Sequence, residues 1–285
     1  MDRTSKVRGV LGVTLVLNIL VSAAKIGYGY LTSSVSIFSD GFHSLFDGVS
    51  NIVGLVGVYL SSHPPDEQHP YGHRKYETVF TIFIGLLMLL TCFEVFKKVL
   101  ESLTGKHETI VTSTSFLVMA VTMLINIGVS VYEGRMGRKL NSEFLIADAK
   151  HTKSDIYVSA GVIASLILIK LGVPLADPLA GIVVGILVAK AGIDIIREST
   201  ETLVDRTQAD IRAISGIARA VEGVAGCHEI RTRGTKGSVF VDLHIQVNPF
   251  LSVEDAHKIA DTVEKELKGK MPEVVDVVVH IEPSA

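Results

Sequence analysis

The 285-residue chain holds only two cysteines, Cys92 and Cys227. Cys92 sits inside an apolar run and Cys227 in a more polar tail, so no structural disulfide is expected and the tail reads as reduced and cytoplasmic. No basic stripe with interleaved aromatics occurs, and the net charge is only -3, so nucleic acid is not an expected partner. No H-E-x-x-H motif occurs, and with it goes the usual helix-borne metallohydrolase site. No internal repeat stands out. No small-residue cleavage site closes the first apolar run behind Arg3, Lys6 and Arg8. That run is long enough to span a bilayer, so it reads as a retained helix and not as a signal peptide.

What the chain has in abundance is apolar surface: 48% hydrophobic residues and a mean hydropathy of +0.42. A soluble domain is ordinarily less apolar. The apolar residues lie in long runs up to roughly residue 200, whereas the remainder has the pattern of a soluble domain. A membrane helix needs about 20 apolar residues. Six segments qualify: 8–31, 35–61, 77–101, 113–133, 143–170 and 178–199. Short connectors join them, one running from Gly134 to Asn141. Positive charge collects on alternate connectors, at Arg3, Lys6 and Arg8, then Arg74 and Lys75, then Arg135, Arg138 and Lys139. That bias puts the N-terminus and the tail in the cytoplasm. The expected protein is an α-helical, multi-pass component of the cell (inner) membrane, with a six-span transmembrane domain over 1–205 and a cytoplasmic domain over 206–285.

In the tail, Ile211, Ile214, Ile217 and Val221 recur at helical spacing over 208–221. Val239, Val241, Leu243, Ile245 and Val247 alternate with Asp242, His244 and Gln246, which is the pattern of a half-buried strand. Ser252, followed by Glu254 and Asp255, opens an amphipathic helix over 252–268. With strands near 226–233 and 274–282 the order is α-β-β-α-β, a two-layer α+β domain.

Charged residues within a span are costly, roughly 2.5–3.5 kcal/mol at the bilayer centre, and need a reason. The second span carries Asp40, His43 and Asp47, the fifth Asp148, His151 and Asp155, each set spaced three and four apart on one helical face. Two helices thus each present D-x-x-H-x-x-x-D. His43, Asp47, His151 and Asp155 supply two imidazoles and two carboxylates, a set that suits a tetrahedral divalent ion such as zinc. Imidazole disfavours calcium and magnesium, while manganese and ferrous iron stay open. The plainer alternative is a set of polar interhelical contacts. Asp40 and Asp148 lie one turn outside the pairs, where they could support the ligands, line a path or form hydrogen bonds. Histidine titrates near neutral pH, so protons can compete with metal for the same imidazoles, and proton-coupled exchange follows as a hypothesis.

Between spans two and three, Asp66, His69 and His73 in a Pro-rich loop could hold a more exposed ion, or the histidines could be incidental. In the tail, His228, His244, His257 and His280, with Glu282, form a second candidate metal set. Cys227 could join it or be a semi-buried spectator.

With these motifs in place, the chain resembles the cation diffusion facilitator family. The stretch Ser39-Asp40-Gly41-Phe42-His43-Ser44-Leu45-Phe46-Asp47 and the stretch His151-Thr152-Lys153-Ser154-Asp155 resemble its second- and fifth-span motifs. The resemblance covers nearly the whole chain and implies six spans followed by a metallochaperone-like α+β domain. It implies that His43, Asp47, His151 and Asp155 form the transport site and that Asp66, His69 and His73 form a loop site. It also implies that His228, His244, His257, His280 and Glu282 form a tail site around which two copies dimerise. Lys75 and Asp205 match a charge pair linking membrane helices to the tail. Bacterial zinc/proton antiporters often carry Asp where His43 stands, and manganese-type members carry carboxylate or amide at the His positions. The sequence therefore leans to zinc, as cargo and as a bound structural or regulatory ion, with iron, manganese, cobalt and cadmium as alternatives. A membrane metal sensor without turnover is the rival of another class; no enzyme activity is expected.

Overall fold

A computed structural model describes residues 3–31, 35–103, 113–170 and 176–284, with 29–31, 35–47 and scattered positions of the later helices described by backbone alone. The chain divides into two compact units, 1–199 and 200–285.

The helices of the first unit are α1 (Arg3–Leu31), α2 (Val35–Ser61), α3 (Lys75–Leu103), α4 (Ser113–Leu140), α5 (Glu143–Lys170) and α6 (Ala176–Leu203), whose last turn enters the second unit. Each exceeds the about 20 residues that a bilayer requires. In α1 and α3, the stretches Arg3–Tyr28 and Lys75–Glu94 each contain an 18-residue window with a mean hydropathy of 1.9. Around a buried apolar core that includes Leu11, Ile84, Met88 and Phe144, this unit departs from a soluble protein in what it exposes and what it buries with that core. Val16, Leu20, Phe83, Leu90, Phe93, Leu124 and Val183 point outward. Thr14, Asn18, Ser22 and Lys25 of α1 are buried, as are Ser50, Asn51, Glu133 and Asp148. Lipid accepts the apolar exterior, and the polar groups satisfy one another inside.

Small residues set the helix spacing. A Cβ on Gly54 of α2 would run into the fully buried Phe144 ring of α5, and Gly85 of α3 meets the backbone of Gly192 of α6. Gly134 and Gly137 change the expected connector. They belong to α4, which continues to Leu140; α5 packs closely at Gly137, where a Cβ would lie 3.0 Å from the Ile146 nitrogen, while Gly134 has ordinary room for one. The chain turns instead at Asn141, whose φ is 47°, and Ser142 Oγ then accepts from Leu145 N (3.3 Å) to open α5.

Arg3 ties the start of α1 to this turn. Its Nε donates to Leu140 O (2.7 Å), and Nη2 donates to Asn141 O (2.8 Å) and to Glu77 Oε2 of α3 (2.9 Å). Glu77 in turn accepts from Ser142 Oγ. These bonds fasten the first described turn of α1 to the α4–α5 turn and to α3.

The second unit is α7 (Ile211–Arg219), β1 (Gly226–Thr235), β2 (Ser238–Val247), α8 (Val253–Lys270) and β3 (Val274–Pro283). The sheet order is β1-β2-β3, antiparallel at β1/β2 and parallel at β2/β3. Asp210 caps α7 by accepting from Arg212 N (2.8 Å), which starts that helix three residues later than the periodicity suggested. The β2 alternation holds: Val239, Val241, Leu243, Ile245 and Val247 pack with Ile214, Ala218, Val263 and Leu267 in one core. The opposite face of the sheet is polar. The expected α-β-β-α-β order is thus the observed one.

Candidate metal sites

In the first unit, Asp148 joins two helices. It accepts from Ser50 Oγ (2.6 Å) and Asn51 Nδ2 (2.8 Å), both on α2. Asn51 Oδ1 accepts from Asn18 Nδ2 (2.8 Å) of α1, and Thr14 Oγ1 lies 3.3 Å from Asn51 Nδ2. Asn51 stands one turn beyond Asp47, and Asp148 one turn before His151. The crosslink therefore fixes the registry of α2 against α5 beside both expected ligand pairs. His151 and Asp155 are buried, at 5% and 7% exposure, on the inward face of α5. Asp40, His43 and Asp47 fall on α2 but outside the described side chains.

Sequence reading missed Glu133. The apolar run was expected to end there, yet α4 continues for two more turns and Glu133 is fully buried. Its neighbours are Thr14 and Asp148, although its carboxyl oxygens make no hydrogen bond of good geometry among the described residues. Lys25, also missed, is buried in α1 at 5% exposure. The signal for both was a charge within a hydrophobic segment.

The loop site is assembled by a turn. Gly72 N donates to His69 O (2.9 Å), closing a turn with Pro70 at its second position and with Gly72 at φ 81°. Asp66 Oδ1 accepts from His69 N (2.7 Å) and Gln68 N (3.0 Å). The result faces His69 Nδ1 to Asp66 Oδ1 at 3.4 Å and His73 Nε2 to Asp66 Oδ2 at 3.4 Å. Ligands of a tetrahedral zinc with bonds of 2.0–2.1 Å stand about 3.3 Å apart. His73 Nδ1 faces Pro64 O at 3.1 Å. A carbonyl only accepts, so that nitrogen carries the proton and Nε2 offers its lone pair. The backbone N–H of His69 above all, then the His73 imidazole, the backbone N–H of Gln68 and the His69 imidazole, hold the Asp66 carboxyl below the usual carboxylate range against the opposing effect of desolvation.

The tail site follows from strand register. His228 pairs with His244 across β1/β2, and His244 with His280 across β2/β3, so three imidazoles form a row on the polar face. Ring centroids are 5.5 Å apart for the first pair and 4.5 Å for the second. Glu282 Oε2 is 2.9 Å from His228 Nε2, and Oε1 is 2.9 Å from His244 Nδ1. The hydrogen bond from His244 chiefly, with His228 beside it, lowers the Glu282 pKa. One donor atom from each of His228, His244 and Glu282 lies within 4.8 Å of the others. His280 Nε2 is 3.8 Å from Glu282 Oε1.

A bulge between His228 and Arg231 puts one extra residue in β1. It turns Glu229, at φ 48°, outward beside His228, and Glu229 Oε2 comes within 3.8 Å of His244 Nε2. No local pattern marked Glu229, because a bulge is a feature of strand pairing. His257 is not brought to the row; it lies exposed on α8, 3.5 Å from Asp261. Cys227 is buried at 4% in the core, and burial raises its thiol pKa, so it packs as an apolar group. Lys75 opens α3 in one unit, and Asp205, at φ 60°, follows α6 in the other.

A transmembrane helical unit with buried acid and imidazole, followed by a small domain whose sheet carries a histidine–carboxylate row, defines a membrane transporter of divalent metal ions. The sequence matches the family model of the cation efflux transmembrane domain over residues 11–204 and that of the cation efflux protein cytoplasmic domain over 207–284. The chain belongs to the cation efflux, or cation diffusion facilitator, family. It is 35% identical to an uncharacterised transporter of Methanocaldococcus jannaschii over 94% of this chain and 95% of the relative. It is 31% identical to the manganese efflux system protein MneS of Bacillus subtilis, covering 95% and 93%. Against metal tolerance protein C1 of Arabidopsis thaliana the identity is 33%, covering 95% of this chain and 61% of the relative. Among solved structures, MamM-CTD is matched over 26% of this chain and 92% of its own length, at 30% identity and a TM-score of 0.25.

Proposed function

We propose that this protein exports zinc from the cytoplasm in exchange for protons, through a site made by His43, Asp47, His151 and Asp155. The observation that carries the reading is the Asp148 crosslink: Ser50 and Asn51 on α2 both donate to Asp148 on α5, one turn from each expected pair. Asp148 is then a positioning residue, and His151 and Asp155 lie beside it in a buried polar interior. Two imidazoles and two carboxylates complete a tetrahedron for zinc. Protonation of the imidazoles releases the ion, which couples metal to proton movement. The loop set and the tail row take further zinc ions, structural or regulatory, because their donors are nitrogen and carboxylate oxygen at ligand-like separations. The protein acts as a homodimer joined through its tails, with His257 reaching a tail site by way of the partner or by rearrangement. Lys75 and Asp205 pair to join the membrane helices to the tail. The protein spans the inner membrane six times over residues 1–205, with its N-terminus and its 206–285 domain in the cytoplasm.

A second reading, manganese as cargo, is favoured by the relative MneS, which is named for manganese efflux. The test is a proteoliposome panel of zinc, manganese, ferrous iron, cobalt and cadmium, comparing wild type with Asp47→Ala and His151→Ala. Zinc flux with opposed proton flux, lost in both folded variants, is the expected result. Flux of manganese but not zinc would select the second reading. Metal movement without proton counterflow under any gradient would remove antiport, and tight binding without flux would leave a sensor.

A further inference from the structure

The loop metal set as expected from sequence has three donors, from Asp66, His69 and His73. A tetrahedral ion has four ligand positions. We propose that His63 is the fourth ligand of this site, so that the loop holds zinc in a closed shell of three imidazoles and one carboxylate. The inference rests on the reading that Asp66, His69 and His73 hold a metal.

Three observations carry it. The first is the hydrogen bonding of His63. Its Nδ1 lies 3.1 Å from both Tyr59 O and Leu60 O, the last carbonyls of α2. These groups only accept, so Nδ1 bears the proton and Nε2 the lone pair. His73 has the same arrangement with Pro64 O. A ligating histidine nearly always donates its other N–H in this way, which fixes its tautomer and raises its basicity. Two histidines of one loop are thus both prepared to bind through Nε2.

The second observation is distance. Imidazoles sharing a tetrahedral ion have ring centroids about 5 Å apart, given bonds of 2.0–2.1 Å. His69 and His73 are at 4.3 Å, and His63 and His73 at 5.8 Å with a 62° interplanar angle. These values bracket the expected one. His63 is not within the group whose donors already lie inside 4.8 Å, so its ring must move inward as the ion enters. The side chain is exposed, and its ring neighbours among the described residues are Tyr59 and His73, the second of them on the side toward which it would move.

The third observation is the rigid placing of the other ligands. Asp66 is held by two backbone N–H groups, and His73 stacks on Tyr76. Pro64 and Pro65 restrict the chain between His63 and Asp66. The fourth ligand is therefore the one whose ring must swing inward, and it lies two residues beyond the end of α2, the helix that also carries His43 and Asp47. Metal in the loop would draw on the end of that helix.

A closed N3O shell selects zinc or cobalt over manganese, which prefers oxygen ligands. The test uses the full-length protein in detergent, titrated with cobalt(II), whose visible absorption is strong when tetrahedral. Subtracting the spectrum of His73→Ala cancels the transport and tail sites and leaves the loop site. In that difference His63→Ala is expected to lose most of the tetrahedral band, and zinc affinity at the loop is expected to fall at least about tenfold. His63→Ala giving the wild-type difference spectrum and affinity overturns the fourth ligand while leaving the three-donor site in place. No difference between wild type and His73→Ala overturns the loop site itself and the role of His63 with it. Circular dichroism and unfolding of the metal-free variants show whether either change acts through the fold.

Discussion

Asp66 and Glu282 show how much one carboxylate's surroundings decide. Asp66 is held by backbone amides and stands 3.4 Å from two imidazole nitrogens, spaced as ligands around an ion. Glu282 is held by imidazoles at 2.9 Å, a hydrogen-bond length, so a metal must displace the protons that now bridge the tail row. Asp148 belongs to a third setting, buried with two donors aimed at it. Asp148→Ala leaves the Ser50 hydroxyl and the Asn51 amide without their acceptor, and is expected to cost about 1–3 kcal/mol. Thermal unfolding of the purified protein reads that loss, and zinc flux should fall with it. Asp255, at the start of α8, exchanges bonds with the capping residue: Ser252 Oγ donates to Asp255 Oδ2 (2.6 Å) and accepts from Asp255 N (3.1 Å). That bond chiefly, aided by Lys258, lowers the Asp255 pKa. Glu282 is lowered too. A carboxyl with a depressed folded pKa stabilises above its unfolded value and loses that contribution as pH falls through the folded one. The second unit should therefore weaken below about pH 4, the range of free Asp and Glu. Hydrogen exchange of the β2 amides across an acid series measures this, and Asp255→Asn should flatten the dependence.

Among the elements, α2 and α5 matter most for the site, and their contact depends on a missing side chain. Gly54→Ala would put a methyl group against Phe144, which is fully buried, and neither helix can yield without shifting the Ser50–Asp148 bond. The expected result is a loss of about 1–3 kcal/mol in stability, with zinc flux reduced although every ligand is intact. Gly54→Ser is expected to behave alike; if both variants transport normally, the packing does not hold the site. In the sheet, the β1 bulge does the positioning. Without the extra residue Glu229 would face the core, since side chains alternate strictly along a strand. Deleting Glu229 restores a regular ladder from His228 to Arg231, keeps the His228–His244 pairing and removes the carboxylate near His244. Zinc binding by the tail row should survive in that variant, read by calorimetry on a chain whose loop site is removed by His73→Ala.

At the scale of the whole molecule, the two units follow opposite rules. The helical unit turns many large Val, Leu and Phe side chains outward and buries Asn, Ser, Glu and Asp beside an apolar core around Leu11, Ile84 and Phe144, while the second unit buries its aliphatic residues and shows its histidines. Each arrangement matches its solvent. Metal should stabilise the second unit: an ion at 100 times its dissociation constant adds about 2.7 kcal/mol, and chelation should remove the gain, as read by the unfolding temperature of that unit in the full chain. His228→Ala with His244→Ala should abolish the response.

The order of elements was legible in the sequence, and so were the side chains gathered in the loop and tail sets, because both rest on local patterns: long apolar runs, the period-two strand at Val239–Val247, the Ser252 cap, and the close spacing of Asp66, His69 and His73. What sequence alone determined was which residues carry imidazole and carboxylate and at what spacing they follow one another along each element. Tertiary structure alone decided which of them meet. It placed His228, His244 and Glu282 together and left His257 apart, gave Asp148 its partners on α2, kept Gly134 and Gly137 inside α4, and turned Glu229 outward. Those outcomes depend on register and close approach between segments distant in the chain, and residue periodicity carries no information about either.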